Sequence, residues 1–444
     1  MSITIPILAQ TGITSLVNIL DNLMVGQTGT EQMTGVSIVN QLIYIYFLCI
    51  FGGLSGAGIF TSQYYGKKDD EGIRYTFRYK LWIGIILTLI TIILLSIAGE
   101  EIINLYMNGD DSGVSISDTM EAALTYLRFM LFGLPAFMLV QVYAGTLREC
   151  GEMKLPLIAG VIAVITNLVL DYALIFGRLG LPKLGVAGAA VATVLSRYLE
   201  CLVAVLGSHR RSKKYTYMQG VYKTWKVPLS LAVEFFSKGS PLLLNETMYS
   251  LGIAVLLYCY SYRGITSVAA MNISFSVEEF TNVLMIALGD AVAILVGQLL
   301  GAGRLEDAKT TDNRLLFFSI VAGIFAGIVL LISSFFFPEL YHTTSMVRSM
   351  ARHFILIQAF FAPQNTLINS IYYTLRSGGR TLITCLFDGL FLLAVSVPVA
   401  YILSKYTYLS VYIILIAVRF VDTIKCLFGL LLVRRGIWIK NMTE

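Results

Sequence analysis

Long uninterrupted apolar runs dominate this sequence and limit what it can fold into. Runs of about 18 or more residues recur along the whole chain, and each is long enough, as an α-helix, to cross a hydrocarbon core about 30 Å thick. Only 13% of the 444 residues are charged, whereas about 25% is usual for a soluble protein. The runs are continuous rather than alternating, which excludes a transmembrane β-barrel. We therefore predict an all-α polytopic membrane protein.

The spans fall into two sets of six. The first set is predicted at 3–26, 34–63, 79–98, 122–147, 155–177 and 184–207, and the second at 239–262, 267–300, 313–337, 350–375, 381–403 and 409–433. The predicted organisation is an amino-terminal six-helix lobe (1–207), a solvated cytoplasmic basic linker (208–238), a carboxy-terminal six-helix lobe (239–433) and a cytoplasmic tail (434–444).

Charge sorting gives the orientation. Most of the 32 lysines and arginines lie in loops on the same side as the amino terminus, whereas the loop 99–121 on the other side carries six acidic residues and no basic one. By the positive-inside rule, both termini are predicted to be cytoplasmic. The first span lacks a basic n-region, so it is not predicted to be a cleaved signal peptide. The predicted location is the plasma (inner) membrane of a prokaryote.

The two halves contain an internal repeat. With an offset of 235, Pro6, Gly29, Gln63, Gly66 and Glu71 recur as Pro241, Gly264, Gln298, Gly301 and Glu306. With an offset of 228, Pro135 matches Pro363 and "TLRECG" matches "TLRSGG". Because each half holds an even number of spans, both halves enter the membrane from the same side. This predicts a parallel repeat around a central cavity, which suits alternating access.

Carboxyl groups inside the spans are the candidate functional residues, since each costs about 2.5–3.5 kcal/mol at a helix centre on insertion scales. Asp21 and Asp171 have no basic residue one turn away, and Asn167 lies four residues before Asp171 on the same helix face. Thr193 on the next span adds a hydroxyl. These oxygens suit a monovalent cation or a proton. The alternative is a buried, merely hydrogen-bonded acid.

Other intramembrane acids have simpler explanations. Glu200 and Asp422 are predicted to form ion pairs with Arg197 and with Arg419 or Lys425, and Asp388 to be a packing or capping group. Glu278, Glu279 and Asp290 in the eighth span are a candidate substrate or proton path, or an interlobe hydrogen-bonding group. Aromatic residues stack on flat cations or simply pack; the candidates for either role are Tyr44, Phe47, Phe51, Tyr258 and Tyr262.

Prolines inside spans are expected to bend helices. Pro6 and Pro241 are the candidates for bending during transport, and a static kink is the alternative. The sequence has no phosphate-binding loop, no HExxH motif and no catalytic triad arrangement, so no enzyme activity and no cofactor are predicted. No metal site is predicted beyond Na+ at Asp21, Asn167 and Asp171. Energy is then expected from an ion gradient or a partner.

The chain resembles the multidrug and toxic compound extrusion (MATE) family, of the multidrug, oligosaccharidyl-lipid and polysaccharide exporter superfamily. The resemblance rests on "PILAQTGITSLVNILDNLMVGQTGT", "GAGIFTSQYYGKKD", "NLVLDYALIFG", "GVAGAAVATVLSR", "ILVGQLLGAGRLEDA", "LFDGLFLLAVSVPVAYIL" and "RRGIWIKNMT". It implies twelve helices in two lobes and export of cationic drugs in exchange for H+ or Na+.

The resemblance also implies a particular cation site. DinF-like and archaeal members use a first-lobe site, whose pattern matches Asp21, Asn167, Asp171 and Thr193 here. The second-lobe acids of the NorM-like branch fall on Tyr249 and Asn365, which argues against that mechanism. We therefore expect a secondary active antiporter that exports amphipathic organic cations. Its expected partners are small-molecule substrates and membrane lipid, with no nucleic acid, and it is expected to be a monomer. The alternatives are a lipid-intermediate flippase and a non-transporting membrane receptor or scaffold.

Overall fold

The computed structural model describes Gly12, Leu20, Asp21 and residues 24–105, 115–341 and 343–443. All regular structure in these residues is helical. Five long helices lie in the first half: α1 (Thr30–Lys67), α2 (Asp70–Leu105), α3 (Ile116–Glu149), α4 (Lys154–Phe176) and α5 (Val186–Arg210). Six follow in the second half: α6 (Leu229–Ser261), α7 (Ile265–Gly301), α8 (Leu305–Phe336), α9 (Ser345–Ser377), α10 (Thr381–Tyr406) and α11 (Val411–Arg434). Short 3₁₀ helices occur at Thr216–Met218 and Phe337–Leu340.

Nine helices of the described residues are long and apolar enough to cross a membrane. α9 and α11 do not meet that composition. In α11 the reason is three charged residues within its centre, Arg419, Asp422 and Lys425. Most of the predicted first span, including Pro6, lies outside the described residues. Pro241 lies inside α6, which remains helical on both sides of it.

Several helices extend beyond the predicted spans. α2 begins at Asp70 instead of residue 79, because its first turns carry charged residues that hydropathy rejects but that a helix accepts. α10 differs in another way, since π-helical turns occupy Leu386–Leu390 and Leu392–Ser396. Such turns widen the helix locally and are frequent at functional sites.

The internal repeat is visible in how α3 and α9 end. The backbone N–H groups of Gly151 and Gly379 donate to the carbonyls of Arg148 and Arg376, three residues earlier. Both glycines have positive φ angles, 80° and 70°, which any other residue adopts only with strain. "TLRECG" and "TLRSGG" therefore make the same turn.

The chain divides into two compact units. The amino-terminal unit comprises Ser2–Thr61 and Asp70–Phe235. It includes the basic segment predicted to be a solvated linker, whose residues Tyr215, Tyr217, Met218 and Val221 are buried. Arg78 Nε donates to the Val221 carbonyl oxygen (2.9 Å). The segment predicted to be a solvated linker therefore packs on this unit through apolar side chains that interleave with the basic ones.

The carboxy-terminal unit comprises Ser62–Asp69 and Phe236–Glu444. It thus includes the last turns of α1, which the tail holds through Gln63. Gln63 Nε2 donates to the carbonyls of Ser377 (3.0 Å) and Lys440 (3.3 Å), and its Oε1 accepts from the Met442 N–H (2.6 Å). Trp438 of the tail is 1% exposed. The predicted cytoplasmic tail is therefore a packed part of this unit.

In the same unit, α1 and α7 cross at Gly66 and Gly301, two residues that the internal repeat relates. A Cβ atom on Gly66 would lie 1.9 Å from the carbonyl oxygen of Gln298, and one on Gly301 would lie 1.9 Å from that of Gln63. The backbones of α1 and α7 approach this closely only because both crossing residues lack a side chain.

Candidate cation site

The candidate site is built on α4 and α5 of the amino-terminal unit, which pack very closely. A Cβ atom on Gly188 would lie 2.7 Å from the Leu174 carbonyl oxygen. Ala189, Ala190 and Ala192 continue this small-residue face and are almost fully buried. Small residues let neighbouring membrane helices approach each other at backbone distance. The packing brings the next turn of α5, which carries Thr193, against α4.

Three of the predicted residues meet across this interface. Asn167 Nδ2 lies 3.5 Å from Thr193 Oγ1, and Asn167 is close enough to Asp171 to act on its carboxyl group. Asp171 is 1% exposed. Its i, i+4 spacing from Asn167 accounts for their contact. Carboxyl, amide and hydroxyl groups therefore converge at one depth of the helix pair.

Asp21 completes the predicted set. Its carboxyl group acts electrostatically on that of Asp171. The Oδ1 atom of each is buried and has no hydrogen-bond partner in the described part of the chain. No lysine, arginine or histidine among the described residues forms an ion pair with either group.

Two further residues belong to this site and were missed in the sequence. Tyr126 of α3 is 2% exposed, and its hydroxyl donates to Asn40 Oδ1 (3.2 Å) of α1. The Asp21 and Asp171 carboxyl groups both act electrostatically on the Tyr126 hydroxyl. Asn40 could have been identified from the sequence, since an amide inside an apolar run is costly in the same way as an acid.

The arrangement of these side chains is suited to binding a proton or a small cation. Two neighbouring carboxyl groups with buried oxygens repel strongly when both are ionised, so they favour a shared proton or a bound cation. The neighbouring amide and hydroxyl oxygens are ligands that a hard cation such as Na+ accepts. The described residues contain no cluster of three or more His, Cys, Asp or Glu residues that suits a transition metal.

A cleft of about 530 Å³ lies in this unit. Its lining residues include Gln27, Glu121, Phe176 and Val186. A site residue lies five to seven positions along the chain from each of these lining residues. In the same order, these site residues are Asp21, Tyr126, Asp171 and Thr193, and they lie on the side predicted to face the membrane interior.

The acids of α7 are not gathered into one cluster. Glu278 Oε1 lies 3.6 Å from Arg419 Nη2, Glu279 is exposed, and Asp290 acts electrostatically on Arg376. Eleven or twelve residues separate Asp290 from the two glutamates, which is about 17 Å along a helix. The role of the three as a substrate or proton path stays a prediction.

The intramembrane ion pairs differ in how well they were anticipated. Arg197 Nη1 lies 2.8 Å from Glu200 Oε2, and Arg419 Nη1 lies 3.6 Å from Asp422 Oδ2, as predicted. Asp388, expected only to pack or cap, instead forms an ion pair with Lys425 (2.6 Å).

The candidate aromatic residues have unequal surroundings. Phe47 stacks on Phe137, with ring centroids 4.0 Å apart and an interplanar angle of 22°. Tyr44 and Tyr258 are about half exposed, and the Tyr258 hydroxyl lies 3.1 Å from that of Tyr262. Phe47 is therefore engaged in packing, whereas Tyr44 and Tyr258 retain exposed ring surface.

Membrane-length helices around a buried, uncompensated carboxyl pair are typical of a membrane transporter. Comparison with known sequences agrees with that class. The chain belongs to the MatE family, whose model matches residues 6–173 and 241–402. The two matched segments begin 235 residues apart (241 − 6), which is the offset of the internal repeat. The protein is thus a multi-pass membrane transporter rather than an enzyme.

Similar proteins match over almost the whole chain. A probable multidrug resistance protein NorM from Thermotoga maritima is 24% identical over 99% of this chain and 93% of its own length. A probable multidrug resistance protein YoeA from Bacillus subtilis is 24% identical over 92% of this chain and 87% of its own length.

Solved structures show the fold. A MATE protein in its straight conformation superimposes with a TM-score of 0.85 at 19% identity, covering 98% of this chain and 94% of that one. An outward-facing multidrug resistance MATE transporter of the MOP superfamily has a TM-score of 0.84 at 20% identity, covering 100% and 96%. The fold is therefore that of MATE transporters, with twelve transmembrane helices in two lobes, as predicted.

Proposed function

We propose that this protein is a secondary active multidrug antiporter, which exports amphipathic organic cations in exchange for H+ or Na+. The observation that carries the proposal is the Asp21–Asp171 pair, whose two buried Oδ1 atoms have no hydrogen-bond donor and whose carboxyl groups have no cationic partner among the described residues. A group of this kind is stable when a small positive ion neutralises it. The relatives named for multidrug resistance support the transported class.

The coupling follows from differential affinity. An ion drives a conformational change only if it binds one state more tightly than the other. Asp21, Asn167, Asp171 and Thr193 come from three segments of the chain, so a small displacement of α5 against α4 alters the ligand set. Loss of the ion would then favour one state of the transport cycle, and binding the other.

The proposed setting is the plasma membrane of a prokaryote, with both termini in the cytoplasm. The basic loops and the tail support this orientation through the positive-inside rule. Trypsin added to intact cells should then leave the tail uncut, whereas trypsin added to everted vesicles should reach the basic loops.

Everted vesicles also provide the functional test. Uptake of a fluorescent organic cation such as ethidium is measured under an imposed proton gradient or an imposed sodium gradient, which identifies the ion. We expect Asp21→Asn and Asp171→Asn to reach normal levels in the membrane and to lose gradient-driven transport. Glu200→Gln is the matched control, since its acid is already paired with Arg197. Full transport in either Asn variant would refute the site.

A further inference from the structure

Asp312 differs from the other intramembrane acids of the carboxy-terminal unit. Its side chain is 0% exposed, and no ion pair in the described part of the chain includes it. The other buried or half-buried acids of these spans face a cation: Arg419 for Glu278 and Asp422, Lys425 for Asp388, and Arg376 for Glu246 and Asp290. Asp312 therefore requires another means of neutralisation.

Its surroundings offer hydroxyl groups instead of charges. Thr374 and Ser370 of α9 and Ser319 of α8 are all 0% exposed, and the two serine hydroxyls lie 2.7 Å apart. On α8, Lys309 is bonded to Glu306 near the surface (2.6 Å) and Arg314 is exposed. No charged group in the described parts of α7, α8 or α9 acts electrostatically on Asp312.

The number of hydrogens available between Asp312 and Thr374 indicates the protonation state of the Asp312 carboxyl group. Thr374 Oγ1 lies 2.6 Å from Asp312 Oδ1 and 3.0 Å from the Ser370 carbonyl oxygen. A threonine hydroxyl has one hydrogen, and in helices it commonly goes to the carbonyl four residues earlier, which here is Ser370. The short contact with Asp312 then needs a hydrogen that only the carboxyl group can supply.

We propose that Asp312 is a proton-binding site of the carboxy-terminal unit, where the neutral acid donates to Thr374 Oγ1. Energetics agree, since an ionised carboxylate in a buried site without a cation is strongly unfavourable. The site is separate from the Asp21–Asp171 pair and does not depend on the proposed coupling. It lies seven residues into α8, about 10 Å from the start of the helix.

Stability as a function of pH tests the proposal. Unfolding by SDS titration is followed in micelles from pH 5 to 9 for the wild type, for Asp312→Asn, which mimics the neutral acid, and for Asp422→Asn. The folded protein holds a proton that the unfolded chain releases above about pH 4. The wild type should therefore lose stability relative to Asp312→Asn as pH rises, by up to about tenfold in the unfolding constant per pH unit.

The control and the contrary results are well defined. Asp422→Asn should gain no such advantage at high pH, because it removes one of the carboxylates that face Arg419. Parallel pH profiles for the wild type and Asp312→Asn would overturn the proposal. So would a stabilisation by Na+ that Asp312→Asn abolishes, since the bound ion would then not be a proton.

Infrared spectroscopy keeps the proposal testable should Asp312→Asn fail to fold. A neutral carboxylic acid has a C=O stretching band distinct from those of a carboxylate. Thr374→Val removes the acceptor hydroxyl but keeps the acid, so the band of Asp312 should move to higher frequency. Thr423→Val is the control, because Thr423 bonds Gln364 and not an acid. A carboxylic acid region that Thr374→Val leaves unchanged would contradict the assignment.

Discussion

Lys425 Nζ lies 2.6 Å from Asp388 Oδ1, and both side chains are largely buried, at 7% and 17% exposure. Asn245 completes the group, since its Nδ2 donates to Asp388 Oδ2 (3.2 Å) and its Oδ1 accepts from the Gly389 N–H (2.8 Å). These contacts lie at the first π-helical turn of α10, where they satisfy backbone and side-chain groups together. The pair joins α10 to α11.

Breaking this pair should be more harmful than removing it. Asp388→Asn or Lys425→Met alone leaves one buried charge without its partner, which costs about 3–5 kcal/mol. The double variant Asp388→Asn/Lys425→Met removes both charges of this pair and should recover most of that loss. SDS unfolding of the four proteins gives the coupling energy. Additive losses in the double variant would mean that the two charges do not depend on each other.

The crossing of α1 and α7 should not tolerate a methyl group. Gly66→Ala and Gly301→Ala each place Cβ 1.9 Å from a backbone oxygen, and backbone yields less readily than a side chain. We expect losses of at least about 3 kcal/mol, the upper end of ordinary overpacking penalties. Gly145→Ala is the control, because its Cβ meets nothing within 4 Å. It should gain up to about 1 kcal/mol from helix propensity. Equal effects at the three positions would refute the close crossing.

Loss of the Gln63 amide should release the tail. Gln63→Leu removes the partners of the Met442 N–H and the Lys440 carbonyl, and each unsatisfied buried group costs about 1–3 kcal/mol. Trypsin should then cut after Lys440 much faster than in the wild type. Gln219→Leu, which removes an exposed amide, should leave the rate of cutting unchanged. An unaltered rate in Gln63→Leu would show that the tail docks without this contact.

The Glu152–Lys214 pair, which joins the segments that follow α3 and α5, should make a small, pH-dependent contribution to stability. Burial acts to raise the pKa of Glu152, but the hydrogen bond from Lys214 and the Lys214 charge outweigh it, so the pKa is lowered. The resulting stability is present above the ordinary glutamate pKa of 4.5 and is lost as pH falls through the folded value. Because Lys214 is exposed, we expect Glu152→Gln to cost no more than about 1 kcal/mol at pH 7.

The check is the unfolding midpoint at pH 7 and near pH 4. The difference between Glu152→Gln and the wild type should shrink at the lower pH. Glu100→Gln, at an exposed acid that forms no ion pair among the described residues, should show no difference at either pH. A difference for Glu152→Gln that is the same at both pH values would be incompatible with an ionised pair.

Local patterns in the sequence were sufficient to predict some ion pairs and the positions of the helices. The Glu200–Arg197 and Asp422–Arg419 contacts follow from i, i+3 spacing on a single helix. Apolar runs likewise located the helices, although hydropathy missed the charged first turns of α2. These features depend on the order of neighbouring residues along one element.

Ion pairs between different helices could not be predicted from the sequence. Lys425 lies one turn from Asp422 but bonds Asp388, which is 37 positions away on another helix. That choice depends on how α10 and α11 are rotated, and the π-helical turns change this rotation. The isolation of Asp312 and the docking of the tail on Gln63 are also three-dimensional properties. The four residues of the candidate cation site are predictable from the sequence pattern, but their role in coupling stays a prediction.

The buried Trp438 gives the docked tail an optical signal. The chain has three tryptophans, and the other two, Trp82 and Trp225, lie edge to face with ring centroids 5.8 Å apart in the amino-terminal unit. With both changed to phenylalanine, fluorescence would come from the tail alone, and a red shift would mark its exposure to water. Attachment and release of the tail could then be followed in real time during turnover, without an added dye.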